Sequence, residues 1–256
     1  MKRIAIITGA SSGMGRDFVR QIEKYEKLDE IWAIARREDK LVSLSDECSI
    51  PVRPISLDLS LEQSFDRYRE LLETEAPDVA LLVCCSGYGK FGKYDDIEMS
   101  DKMGMIDLNC KALVMTTELT LPYMKQGAHI IELDSLSSFQ PVPYLGVYAA
   151  TKAFVLSYSR ALNKELKSRG IKVCAVCPGW VRTEFFDRAK TKNEKAITYY
   201  SKIWESADVV RTALRDAYKG KDVSIHGFSV KAQVLLTKML PHSIVMRIWL
   251  RQQGHS

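Results

Sequence analysis

Six short apolar runs rich in β-branched residues recur along the chain, at residues 4–7, 31–35, 52–57, 79–84, 129–133 and 172–177. Each is the length of a strand buried on both faces, and the stretches 16–25, 39–45, 61–72, 101–124 and 148–168 between them carry helical periodicity. Strands alternating with helices predict an α/β chain, a doubly wound parallel sheet with helices on both faces. No composition shift or Pro/Gly/Ser-rich linker interrupts residues 1–256, so a single domain is expected. In such sheets ligands bind at the carboxyl ends of the strands. The informative residues are therefore those just after each run.

The first run passes directly into Thr8-Gly9-Ala10-Ser11-Ser12-Gly13-Met14-Gly15 before helical periodicity begins. A glycine turn that opens a helix presents free N–H groups and the positive end of the helix dipole to a phosphate. Alone, the same pattern also serves as a plain tight turn. After the second run stands Arg36-Arg37, where an acid would bind ribose hydroxyls and a guanidinium would clamp a 2′-phosphate. The pair therefore favours NADP(H) over NAD(H), although Glu38 and Asp39 follow and are placed to neutralise it. Asp58-Leu59 comes after the third run, with the acid placed to accept from an adenine amino group. Ser86-Gly87 follows the fourth, a second turn that lets backbone pass beneath a cofactor.

Charge and cysteine content exclude several classes. The net charge of +5 resides wholly between Lys219 and the C-terminus, where six cations face the single acid Asp222. With no basic stripe in the body of the chain, nucleic acid is not an expected partner. The six cysteines fall mostly inside core-like runs, which fits a reducing, cytoplasmic setting. Cys174 and Cys177 form a CxxC within one such run with no second ligand pair, so they read as core thiols and no metal is expected. The opening apolar run is too short for a signal peptide or a membrane span. The tail, about 229–256, reads as two amphipathic segments separated by Pro241. In the second, Ile244, Val245, Ile248 and Trp249 share a face apart from Arg247 and Arg251. A lid or a subunit contact is the leading reading of that face, and membrane-surface contact the next.

The chemistry lies in Asp134-Ser135-Leu136-Ser137-Ser138 and Tyr148-Ala149-Ala150-Thr151-Lys152. Residues four apart on a helix share a face, so Tyr148 and Lys152 meet there, within reach of a serine past a strand end. A phenol titrates near pH ~10, and a neighbouring ammonium is what would bring its proton exchange toward neutrality.

These motifs, in this order, resemble the short-chain dehydrogenase/reductase family over nearly the whole chain. The matching set is Thr8-Gly9, Gly13 and Gly15, Asp58-Leu59, Asn109, Ser135, Tyr148 and Lys152, and Pro178-Gly179-Trp180-Val181-Arg182-Thr183. The resemblance implies a Rossmann-like fold and a carbonyl–alcohol oxidoreductase of oligomeric habit, with Tyr148 as general acid/base. Lys152 would hold the nicotinamide ribose and lower the tyrosine pKa, and Ser135 would bond the substrate oxygen. Ser135 is preferred to Ser137 and Ser138 because its thirteen-residue offset from Tyr148 matches the family. Asn109 would shape its helix around a proton relay, or serve as a buried amide. Val181 backbone and Thr183 would hold the carboxamide, unless Thr183 only caps the next helix. Cofactor contacts are further expected at Ser11, Ser12, Met14, Ser86, Gly87, Pro178 and Gly179. One departure is Cys84-Cys85-Ser86-Gly87, where the family usually has two asparagines, an alanine and a glycine.

Substrate selection falls to the segment 184–205, with Phe185, Phe186, Tyr199, Tyr200 and Trp204. Tyr88, Phe91, Tyr144 and Leu145 are further candidates. Such aromatics predict an apolar ketone, aldehyde or alcohol of hydroxysteroid, 3-oxoacyl or aryl ketone type. The alternative is a non-catalytic NADP(H)-binding sensor or scaffold, which would be expected to have lost Ser135, Tyr148 or Lys152.

Overall fold

The structure is a computed structural model in which residues 1–192 and 196–255 are described. Strand and helix alternate through β1 (Arg3–Thr8), α1 (Gly13–Gln21), β2 (Glu30–Ala35), α2 (Glu38–Val42), β3 (Val52–Ser56), α3 (Gln63–Glu75) and β4 (Asp78–Cys84). There follow α4 (Met99–Ile106), α5 (Ala112–Thr120), β5 (His129–Leu133), α6 (Gly146–Glu165) and β6 (Lys172–Val176). The last part holds β7 (Trp180–Arg182), α7 (Phe185–Ala189), β8 (Ile203–Glu205), α8 (Ser206–Tyr218), β9 (Val223–Ser224), α9 (Phe228–Met239) and α10 (His242–Gln252).

Seven parallel strands form the main sheet in the order β3-β2-β1-β4-β5-β6-β9. The first strand shows why the apolar runs lack polar alternation. Ile4 and Ile6 pack in one layer with Trp32, Ile34 and Leu82, while Ala5 and Ile7 pack in the other with Ile31, Ala33 and Val83. Helices α3, α5 and α6 close the first layer through Phe65, Tyr68, Leu113 and Val155. Helices α1 and α8 close the second through Phe18, Val19, Val210 and Leu214. Each large aliphatic side chain buried this way stabilises the fold by about 1.5–3 kcal/mol.

The structure departs from the sequence reading in three places. Residues 101–124, expected as one helix, are broken by a π-helical turn at Asp107–Lys111, where the buried Asn109 side chain bonds neighbouring backbone. Helix α6 starts at Gly146, two residues before Tyr148. β7, β8 and β9 are two or three residues long, too short to register as a periodic pattern.

Strand order reverses between β1 and β4, leaving a crevice at their carboxyl ends. A third apolar cluster roofs the crevice, built from Phe91, Val142, Leu145, Ala189 and Ile197 with Trp180, Phe185 and Trp249 against it. The tail is tied to this roof. The Trp249 indole donates to Pro143 O (3.0 Å), and the buried Gln253 Oε1 accepts from the N–H groups of Thr198 (2.8 Å) and Tyr199 (2.9 Å).

Candidate active site

The crevice is one cavity of about 810 Å³ that runs from the glycine loop, past Arg36 and Asp58, to Ser135, Tyr148 and Lys152. At the loop the backbone crowds: a Cβ on Gly15 would lie 2.2 Å from Gly9 O, and one on Gly9 would lie 2.8 Å from Cys85 C. Only glycine fits there. The Ser12 side chain makes no cap bond and the first turn of α1 carries no acid, so the helix N-terminus is open to an anion. Thr8 stands behind this loop rather than in the cavity wall. Its hydroxyl accepts from the N–H groups of Cys85 (3.1 Å) and Ser86 (3.2 Å), tying the loop to the turn after β4.

At the adenosine end, Arg36 Nη1 lies 3.8 Å from Asp58 Oδ2. Burial works to raise the Asp58 carboxyl, but hydrogen bonds from Ser60 and the charge of Arg36 outweigh it and hold the pKa below its usual value. Arg37 is not a free clamp. It donates to Glu184 Oε2 (2.8 Å) and to Ser11 Oγ (3.1 Å), so the acid that neutralises it comes from the far segment and not from Glu38 or Asp39. Arg37 in turn holds the Glu184 carboxyl below its ordinary value. Arg188 was not foreseen; its guanidinium lies 4.1 Å over the Tyr88 ring, and burial and the nearby Arg36 push its pKa down.

The chemical end is built from β5 and α6. Ser135 lies two residues past the end of β5 and caps a short turn, where its Oγ accepts from Ser137 N (3.2 Å). Ser138 spends its hydroxyl on Ser135 O (2.6 Å), which leaves Ser135 as the serine bonded to the Tyr148 phenol. Burial pushes that phenol well above its ordinary pKa, and the Ser135 bond opposes the rise. Lys152, one turn further along α6, is 4% exposed and donates to Leu133 O (2.6 Å), with Nζ 5.8 Å from the centre of the Tyr148 ring. Burial pushes its ammonium down, and Asp134 resists this.

Two buried acids lie beneath this group, Asp134, quoted from sequence without a role, and Glu132, not singled out there. Burial raises Asp134 to about 7, and it accepts from the Cys177 thiol at 3.2 Å. Glu132, also raised to about 7 by burial, accepts from Thr117 Oγ1 at 2.9 Å. Their only sequence signal is acids placed in and just after an apolar strand.

Asn109 lies outside the cavity wall. Its Oδ1 accepts from Tyr88 N (3.0 Å), and its Nδ2 donates to Tyr88 O (2.8 Å) and Thr151 Oγ1 (3.0 Å). It fixes the Ser86-Gly87-Tyr88 turn, where a Cβ on Gly87 would lie 3.8 Å from Lys152 Nζ. At the family's asparagine positions, Cys84 contacts Thr117 Oγ1 (3.7 Å), and burial lifts the Cys85 thiol to about 12. Both are unreactive packing groups.

Met14, Leu59, Pro178, Gly179, Val181, Thr183, Tyr88, Phe185 and Tyr199 all line the cavity. Tyr144 and Trp204 do not. Tyr144 takes a left-handed backbone (φ 66°) and stacks on His255, while Trp204 packs edge-on to His226. Leu240, Val245 and Trp249 of the tail take their place in the wall. Of segment 184–205, residues 193–195 lie outside the described residues, as does residue 256 of the expected domain.

A glycine loop at a sheet's switch point, joined by one cavity to a half-buried Ser–Tyr pair and a buried lysine, defines a nicotinamide-dependent oxidoreductase. The profile of the short chain dehydrogenase family matches residues 3–194, and the chain belongs to that family. Sulfoacetaldehyde reductase 2 of Chromohalobacter salexigens is 34% identical over 194 residues, covering 72% of this chain and 75% of that one. A short-chain dehydrogenase from Sphingobium yanoikuyae in complex with NADPH superposes with a TM-score of 0.79 at 26% identity, covering 93% of this chain and 92% of that one. A short-chain dehydrogenase/reductase from Burkholderia phymatum in complex with NAD shares the fold, with a TM-score of 0.78 at 21% identity over 91% of this chain and 92% of that one.

Proposed function

We propose that the chain interconverts an apolar ketone or aldehyde and its alcohol, with NADP(H) as cofactor and Tyr148 as general acid/base. The observation that carries the reading is the convergence of Ser135, Tyr148 and Lys152 in the cavity that also holds the glycine loop and Arg36. The residues fit a dinucleotide. The open N–H groups of α1 would hold the pyrophosphate, Asp58 the adenine, Arg36 and Arg37 the 2′-phosphate, and Val181 and Thr183 the carboxamide. The nicotinamide supplies the hydride.

In the reducing direction Tyr148 gives its phenolic proton to the carbonyl oxygen while Ser135 donates a hydrogen bond to the same atom. Lys152 would hold the ribose hydroxyls, and with its Nζ 5.8 Å from the centre of the Tyr148 ring a charged ammonium there would favour the phenolate against the burial that keeps the phenol protonated. Phe185, Leu145, Val142 and Trp249 line the substrate end, which supports an apolar molecule of hydroxysteroid, 3-oxoacyl or aryl ketone type. Exposed Met103 and Ile106 of α4 and Phe154 of α6 support self-association, and unpaired buried thiols at Cys84, Cys174 and Cys177 support the cytoplasm.

The test is loss of reduced-nicotinamide absorbance with ketosteroids, 3-oxoacyl thioesters and aryl ketones, each offered with NADPH and with NADH. Turnover of at least one apolar carbonyl, faster with NADPH, is expected. Tight NADPH binding without turnover of any would make the chain a cofactor-binding sensor.

A further inference from the structure

Six apolar side chains of α9 and α10 stand in solvent: Phe228 (87% exposed), Leu235 (61%), Leu236 (56%), Met239 (72%), Ile244 (41%) and Ile248 (44%). Phe228, Leu235 and Met239 are spaced seven and then four residues apart, which places them on one stripe of α9. Val230, Val234 and Thr237 of α9 and Val245 of α10 are buried on the inward side. Lys231, Lys238, Arg247 and Arg251 are exposed on the same two helices. The one acid after Lys219, Asp222, is paired with Arg160 at 3.0 Å, so nothing within the tail answers this charge.

The patch is continuous with the cavity, because Leu236 and Ile248 both line the cavity and stand partly in water. The inward side of α10 is held by the bonds of Trp249 and Gln253, so the outward side is presented on a fixed support. No helix among the described residues is long and apolar enough to cross a membrane.

We infer that α9 and α10 dock on an anionic lipid surface, lying in the plane of the interface with the cavity mouth against it. Apolar stripe and flanking cations are the two components of such binding, and both are needed for more than marginal attachment. A second copy of the chain is a poor occupant, since it would set one cationic tail against another. Docking also gives an apolar substrate dissolved in the bilayer a direct route to Tyr148. That consequence rests on the proposed substrate class, whereas the docking does not, so binding is measured without turnover.

The experiment is co-sedimentation of the full chain with phosphatidylcholine vesicles and with vesicles that also contain phosphatidylserine. Pelleting is expected with the anionic vesicles, reversed by high salt and largely absent with the neutral ones. Each cation contributes about fivefold to partitioning, so Lys231→Gln with Lys238→Gln should weaken it about 25-fold. The triple variant Phe228→Ser, Leu235→Ser, Met239→Ser should abolish pelleting, with an unchanged circular dichroism spectrum and an unchanged melting temperature. Absence of pelleting with either vesicle, or equal pelleting with both, would overturn the proposal. So would a fall in oligomer mass by light scattering in the triple variant, which would assign the patch to another copy of the chain.

Discussion

At the chemical end of the cavity Lys152 is 4% exposed and Asn109, just behind the wall, 1%, whereas at the adenosine end the Arg36 and Arg37 side chains keep 53% and 43% of their surface in water. The buried groups are fixed by short bonds to backbone, Lys152 to Leu133 O and Asn109 to both polar groups of Tyr88. Each would cost about 1–3 kcal/mol if left unpaired, so their geometry has little freedom. The arginines instead hold carboxylates, Asp58 and Glu184, in exposed ion pairs worth about 0–1 kcal/mol. Such pairs are easily exchanged for a phosphate. The buried end is thus set in advance, while the groups proposed to read the cofactor's 2′-phosphate sit in ion pairs that can be traded.

Breaking the buried end should have the largest effect. Lys152→Met is expected to lower kcat/KM about a thousandfold, measured by steady-state NADPH oxidation; a loss under tenfold would mean the ammonium is a packing group. At the exposed end, Arg36→Ala with Arg37→Ala should raise the NADPH Kd about 10- to 100-fold by fluorescence titration and leave the NADH Kd within about twofold. Equal losses for both cofactors would remove the 2′-phosphate assignment. Glu184→Gln frees Arg37 from its carboxylate and should tighten NADPH by up to about fivefold without affecting NADH. If the variant weakened NADPH, Glu184 would instead be a clasp over the bound cofactor.

The smallest effect on turnover is expected from Glu132, whose signature is in stability. Its pKa of about 7 in the folded chain lies above the unfolded value of about 4.3, so the folded state retains a proton that the unfolded state loses. That contribution is full below pH ~4.3 and disappears as pH rises through about 7. Glu132→Gln keeps an acceptor for Thr117 and should flatten the fall of urea-unfolding free energy between pH 5 and 8 by roughly 1–3 kcal/mol. An unchanged slope would place the titration elsewhere.

The same contrast explains what could be read from sequence. Ser135, Tyr148 and Lys152 are legible because a strand end and a single helical turn bring them together with little help from the rest of the chain. The glycine loop is legible for the same reason. Arg36-Arg37 was legible as a cationic site that acids could neutralise, but not by which acid, since Glu184 is 147 residues from Arg37 and reaches it only through the path of the roof. Tyr144 and Trp204 looked like pocket aromatics by position alone; a left-handed backbone at Tyr144 and the unforeseen strand β8 turn them onto His255 and His226 instead. Glu132 and Asp134 were given no role because their properties come from burial, which a strand pattern does not assign to individual acids.

The central claim is that one cavity binds the dinucleotide while Tyr148 moves the proton, and Tyr148→Phe separates the two. NADPH affinity and single-turnover reduction of the best carbonyl substrate should be measured on the same preparation of the variant. A Kd within about twofold of the unaltered chain and a hydride-transfer rate at least about a thousandfold lower are predicted. Reduction at a rate near that of the unaltered chain would contradict the account.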